Sequence, residues 1–407
     1  MLIKNCRIFS PSGFTEGDIL FEGEKIIKVG KNLKSRGETV LNVRGKPVIP
    51  GLVDVHVHLR DFTQKYKETI HSGTEAALAG GITAVMDMPN TKPAIISDRM
   101  IERRLNLLKR KALCDFAVYY GITERNVKER LSKIYLDGTL GEVSPGLLEE
   151  TVIKAELLAV HAEDMEIIKK NREKYREHFR IRSSEAEIEA VKKVSLIAQR
   201  HNKKVHICHI STQDSLEFLN NNITSEVTPH HLFLNKKHLD RLGSICKTNP
   251  PLRTSRDNDA LWRALKSGKI DMIASDHAPH STEEKMGENP PSGVPGLEVT
   301  LKLLLTMVNK RFISLSDVVR WCTYAPSRIF NLRNKGSIKS GKHADLLILD
   351  MKKEGKIKPE DFYSKAKYSP FEGFSYRGNI ERVILRGSVV FEEDEVLTSS
   401  GYGKPLK

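Results

Sequence analysis

The sequence predicts an α/β protein, a (β/α)8 barrel flanked by a small β-sandwich domain built from both chain ends. Three observations carry this. Eight short apolar runs alternate with mostly amphipathic stretches through the middle of the chain, the pattern of a parallel sheet buried on both faces. Short alternating runs, separated by Gly and Asn turn signals, fill both ends. Polar residues capable of chemistry cluster at the C-terminal ends of the apolar runs, where such barrels carry their sites. The expected boundaries are 1–50 and 335–407 for the two parts of the β-domain and 51–334 for the barrel.

In chain order, "LIKNCRIF", "GDILFEGEKIIKVG" and "ETVLNVRGKPVIPG" supply the first β-rich segment. The eight barrel strands are then expected at 52–58, 82–88, 113–120, 132–136, 157–162, 205–210, 223–229 and 270–276. Stretches such as "SDRMIERRLNLLKRKA" and "SSEAEIEAVKKVSLIAQRHN" have helical periodicity and connect them. The linker before the fourth strand is too short for a comparable helix. "GSIKSGKHADLLILD" and "NIERVILRGSVVFEE" return the chain to strands.

Composition narrows the class. Apolar content of 39% and charged content of 29% suit a soluble globular protein. No apolar run approaches the roughly 18 residues of a membrane span, and the start lacks a secretory apolar core. Five scattered cysteines without a CxxC pair fit reduced thiols and a cytoplasmic setting. The net charge of +14 comes from lysines interleaved with glutamates, which reads as a solvated surface. No nucleic-acid-binding pattern accompanies it.

The strand ends hold the chemistry. His56, His58 and Arg60 close the first run; Asp87 and Asn90 follow the second. His161 ends the fifth and His209 the sixth; His230 and His231 follow the seventh, and Asp276, His277 and His280 the eighth. In a strand, residues two apart share a face, so His56, His58 and Arg60 are expected to point one way and Val55, Val57 and Leu59 the other. An HxH pair alone is weak evidence for metal. Joined by His161, His209 and Asp276 at matching strand ends, it describes an imidazole–carboxylate site suited to Zn²⁺. Lys133, inside an apolar run, is costly to bury as a free cation. It is read either as a snorkelling lysine or as a carbamate formed with CO2; Asp137 is the competing bridging ligand. His71, His178, His201, His206, His238 and His343 read as surface or packing residues, and His277 as one that orients neighbours.

The ordered set "PVIPGLVDVHVHLRD", "DMPN", "KIYLDGTL", "VHAED", "HICHIST", "EVTPHHLFL", "TNPPLR", "SDHAPH" and "ADLLILD" resembles the cyclic amidohydrolases. Within them it is most similar to the larger dihydroorotase type, over nearly the whole chain. The resemblance implies a metal-dependent hydrolase barrel with two zinc ions. His56, His58 and Asp276 would hold the first, His161 and His209 the second, and Lys133, as N6-carboxylysine, would bridge them. Asp276 would shuttle the proton. Arg60, Asn90 and His280 would hold a substrate carboxylate; Asn249 and the backbone near Pro295 and Gly296 would contact the ring. Thr139 falls where some relatives have a mobile loop. The implied reaction is the reversible cyclisation of N-carbamoyl-L-aspartate to L-dihydroorotate in pyrimidine synthesis. Hydantoinase, dihydropyrimidinase or allantoinase chemistry is the alternative. The resemblance leaves open a homodimer and an association with aspartate carbamoyltransferase.

Overall fold

The computed structural model describes residues 1–10, 13–35 and 37–406. Each expected barrel strand is present: Leu52–Val57, Ile82–Asp87, Asp115–Val118 continued by Tyr120–Gly121, Leu131–Tyr135, Leu157–His161, Val205–Ile207, Ile223–Val227 and Met272–Ile273. Neighbours pair in parallel around the ring. Closure comes from a parallel bridge between Val57 and His277, where His58 N–H donates to the His277 carbonyl at 2.9 Å. Helices Asp98–Lys111 and Ser184–Arg200 occupy two expected connections. The short linker before Leu131–Tyr135 carries no helix. Two helix starts show how local sequence sets the ends: Ser97 and Ser144 each accept from a backbone N–H in the first turn, and Pro145 fills a position whose N–H would go unused.

Strand alternation sorts the core into two shells. Val53, Val55, Ala84, Met86, Ala159, Cys208, Met272 and Ala274 cluster together. Leu52, Val57, Val85, Phe116, Ile134, Val160, Ile207 and Ile273 belong to the cluster shared with the helices. The expectation that Val55 faces away with Val57 and Leu59 is corrected here. The first strand's pairing slips between Asp54 and Val57, and one such bulge shifts side-chain phase by a residue. Val55 therefore joins Val53, while Val57 and Leu59 pack outward.

The terminal segments form one nine-stranded sheet. Leu2–Ser10, Gly13–Glu22, Lys25–Gly30, Val40–Asn42 and Pro47–Pro50 come from the start of the chain; Leu346–Lys356, Ser375–Leu385, Ser388–Glu392 and Glu395–Val396 come from its end. The two halves join where Ile49 lies antiparallel to Leu347. Ile3, Ile8, Ile19, Phe21, Val48, Leu346, Ile348 and Ile384 give this sheet its own buried cluster. A buried polar knot ties it to the barrel. Lys335 Nζ donates to Asp115 and Asp345 at 2.6 Å each, and Arg386 donates to Asp115 from its guanidinium and to Asp345 from its backbone. Lys404 N–H joins on Asp115 at 2.9 Å, so the C-terminal tail is held at the same point.

Candidate active site

Three strand-end residues leave the extended region to enter the barrel mouth. Arg60, His209 and Asp276 have φ of 46°, 38° and 45°, left-handed conformations that cost a non-glycine residue on the order of 1 kcal/mol or more. Such strain persists where surrounding contacts over-determine it. Asp87 and Arg104 illustrate this. Both side chains are fully buried and joined at 2.7 Å. Asp87 accepts from Leu59 N–H at 3.0 Å, while Arg104 donates to the Arg60 carbonyl at 3.0 Å. The pair grips the backbone on both sides of the turn that delivers Arg60.

His56 and His58 sit with ring centroids 5.4 Å apart. Their Nε2 atoms lie 3.2 and 3.1 Å from the same Asp276 oxygen. On the far side of each ring a second partner fixes orientation. His56 Nδ1–H donates to Glu226, which also accepts from His206 at 3.0 Å; His58 Nδ1 faces Asn90 Oδ1 at 2.7 Å. Burial opposes protonation of His56, but Glu226 and Asp276 outweigh it and push its pKa up to about 10. Burial and the Arg60 cation push His58 down to about 4, against the pull of Asp276. His56 and His58 keep Asp276 well below the usual carboxylate range in spite of burial. A neutral His58 that gives its Nδ1 proton to Asn90 turns an Nε2 lone pair toward a carboxylate oxygen. A cation between them satisfies both.

His161 and His209 form the second focus. His161 Nδ1 and His209 Nε2 are 3.0 Å apart, and His161 Nε2–H donates to Glu163 at 2.8 Å. His209 Nδ1 is buried without a partner among the described residues. Lys133 is fully buried beneath the mouth, its Nζ 2.8 Å from Cys208 Sγ. Burial, and after it the Lys133 charge, oppose protonation of both His56 and His209. Asp137 instead lies 3.6 Å from His161 and is held by Arg182 at 2.8 Å and Thr139 Oγ1 at 2.8 Å.

The remaining expected residues frame one pocket. Arg60, Asn90, Thr139 and Asn249 line it with His56, His58, His161, His209 and Asp276; Asn249 Oδ1 is buried without a partner among the described residues. His280 stands behind Arg60, its Nε2 3.4 Å from the guanidinium. The facing wall is made by Ala278, Ser292 and Gly293. Pro295 and Gly296 lie one step back, where Gly296 N–H donates to His277 Nδ1 at 3.2 Å. A Cβ on Gly296 would stand 2.8 Å from the Ser275 carbonyl, so only glycine fits that approach.

Residues absent from the sequence reading of the site are Glu226, Glu163, Arg182, Tyr135 and Cys208. Glu226 left a signal as the one acid inside the run "ITSEVTP", and Glu163 as the second residue after His161. Arg182 left none: it arrives from the turn before a long helix.

The Amidohydrolase family model matches residues 48–390. The chain belongs to the amidohydrolase family. This amidohydrolase is 43% identical over 397 residues to a protein named dihydroorotase from Pyrococcus horikoshii, covering 96% of this chain and 90% of that one. It is 36% identical over 419 residues to the dihydroorotase of Methanothermobacter thermautotrophicus, covering 98% and 96%. Among solved structures, the L-hydantoinase (dihydropyrimidinase) of Arthrobacter aurescens superposes with a TM-score of 0.94 at 28% identity, covering 100% of this chain and 99% of that one. The amidohydrolase therefore shares its scaffold with hydantoinases, while its sequence stands nearer the dihydroorotases. Family membership and the His56–His58–Asp276 grouping together indicate a metal cofactor.

Proposed function

We propose that this amidohydrolase is a dihydroorotase, interconverting N-carbamoyl-L-aspartate and L-dihydroorotate. The observation that carries the reading is Arg60. A buried guanidinium, charged at every working pH, opens into the pocket beside the histidines and suits a substrate that keeps a free carboxylate. Hydantoin and dihydrouracil rings have no such group. The dihydroorotase relatives support the same reading.

We assign His56, His58 and Asp276 to one zinc ion and His161 and His209 to a second. Lys133, as a carbamate, would be the bridge in this assignment, favoured over Asp137 because Asp137 is already held by Arg182 and Thr139. The donor set of imidazoles and carboxylate suits zinc, which would supply Lewis acidity toward a water and the scissile carbonyl. Glu226 and Asn90 hold the His56 and His58 rings with Nε2 turned to the pocket. The Asp276 carboxylate is the group that would take a proton and return it to the ring nitrogen. Asn90, whose Oδ1 is used by His58, keeps its amide N–H groups for the substrate carboxylate. Asn249 Oδ1 is an unused acceptor for a ring N–H. We also propose a reducing, cytoplasmic setting, supported by five buried free cysteines.

The test is turnover of dihydroorotate at alkaline pH and its synthesis from carbamoyl-aspartate at acidic pH. Hydrolysis of dihydrouracil, hydantoin or allantoin in its place would refute the reading. Arg60→Ala is expected to lower kcat/KM for dihydroorotate about 10²-fold, the loss of roughly 3 kcal/mol of charge-assisted hydrogen bonding.

A further inference from the structure

Behind Arg60 and His280 lies a second cation, Lys67, which is 8% exposed. Its Nζ is 2.9 Å from Glu284 Oε1 and 3.1 Å from His280 Nδ1. Paired with Glu284, Lys67 is an ammonium with three donors and no acceptor. His280 Nδ1 must therefore be the unprotonated, accepting nitrogen. Its Nε2 lies 3.0 Å from the Ser292 carbonyl oxygen, which can only accept. Nε2 therefore carries the proton. The chemistry of the two partners assigns both ring nitrogens.

On the pocket side this has a consequence. Arg60 Nη2 and His280 Nε2 are 3.4 Å apart, and both are donors, so they do not satisfy each other. The Nε2 proton is committed to Ser292, so Nε2 cannot accept from Arg60, and Arg60 Nη2 needs an acceptor from the pocket side. We propose that Lys67 is a positioning residue that fixes His280 as its neutral Nε2–H tautomer, so that the ring cannot capture the Arg60 guanidinium, which is left to the substrate carboxylate. The identity of that carboxylate rests on the dihydroorotase reading; the tautomer does not.

The charged groups facing His280 are Arg60, Lys67, Lys285 and Glu284, with Tyr368 near its backbone. Burial and the three cations push the ring's pKa down to about 2. Glu284 Oε2 waits 3.7 Å from Nδ1. Once Lys67 is removed, this carboxylate favours a proton on Nδ1, which turns Nε2 into an acceptor or makes the ring an imidazolium.

The test uses the full-length holoenzyme labelled with 15N-histidine and long-range proton–nitrogen correlation, with His280→Gln assigning the signal. The wild type is expected to show His280 protonated at Nε2 alone. Lys67→Met is expected to move the proton to Nδ1 or to both nitrogens. It should also raise KM for dihydroorotate about tenfold above neutral pH while kcat changes less than about threefold; Lys67→Arg should restore both. A wild-type ring protonated at Nδ1 overturns the proposal. So does Lys67→Met with an unchanged tautomer, whether its kinetics are unaltered or uniformly depressed. If the dihydroorotase reading fails instead, the wild type leaves dihydroorotate untouched while the Nε2–H signal and its response to Lys67→Met persist.

Discussion

Lys133 and Asp137 are four residues apart and chemically rival candidates for one role, and their surroundings differ. Lys133 has no carboxylate partner among the described residues and rests against Cys208; a buried amine so placed gains from becoming an anion near cations. Asp137 is already committed to Arg182 and Thr139. Lys133→Ala is therefore expected to lose bound metal by elemental analysis and nearly all activity, with partial return on adding short carboxylic acids. Asp137→Ala should retain the metal; its loss there would reverse the assignment. At this scale the sequence was informative where the chemistry repeats at strand ends, as with His56, His58, His161, His209 and Asp276. It was silent about Arg182, because a residue in a helix-leading turn has no periodicity to mark its direction. It also could not give the partners of His280, because Arg60 and Lys67 reach it from the connection after the first barrel strand.

The elements were legible because apolar runs of five to eight residues between amphipathic stretches leave few other readings. What escaped was local phase. The bulge between Asp54 and Val57 is encoded by backbone geometry and by Asp54, which accepts from His56 N–H at 3.1 Å and from Ser275 N–H at 3.2 Å. Nothing in alternation alone reveals such a bond. The Asp87–Arg104 pair joins the second strand's end to the following helix and was likewise only half visible, as Asp87. Arg104→Met should leave Asp87 buried without its cation and destabilise the protein by about 3–5 kcal/mol, measured by denaturant unfolding. It should also raise KM for a carboxylate-bearing substrate, because the Arg60 turn loses its clamp.

For the whole molecule, the knot of Asp115, Lys335, Asp345 and Arg386 joins the barrel, the terminal sheet and the tail. Burial opposes ionisation of Asp115, yet Lys335 and Arg386 lower its pKa; burial opposes charge on Lys335, yet Asp345 and Asp115 raise its pKa. A lowered carboxylate stabilises the fold above its unfolded pKa of 3.8, and that contribution disappears as pH falls through the lower folded value. A raised lysine stabilises below 10.5, and that contribution disappears as pH rises through the higher folded value. Thermal unfolding is expected to show a plateau between these limits and a decline outside them. Lys335→Met should abolish the alkaline decline attributable to this residue and lower stability by about 3–5 kcal/mol throughout the plateau. Hydrogen exchange should then increase first along residues 402–406, whose Leu406 N–H donates to the Phe116 carbonyl at 2.8 Å.

The pairing of Ile49 with Leu347 sets an order of events during synthesis. Strand Pro47–Pro50 emerges from the ribosome long before Leu346–Lys356 exists, and its neighbour in the finished sheet is separated from it by the entire barrel. Closing so long a loop from an unfolded chain is slow, whereas a folded barrel already holds its first strand and its last helices at a fixed spacing. The barrel thus serves as the template that brings the sheet's two halves into register. The nascent N-terminal strands must stay soluble with one edge unpaired until the last sixty or so residues arrive, a period of roughly 15–60 seconds at ordinary translation rates of about 5–20 residues per second.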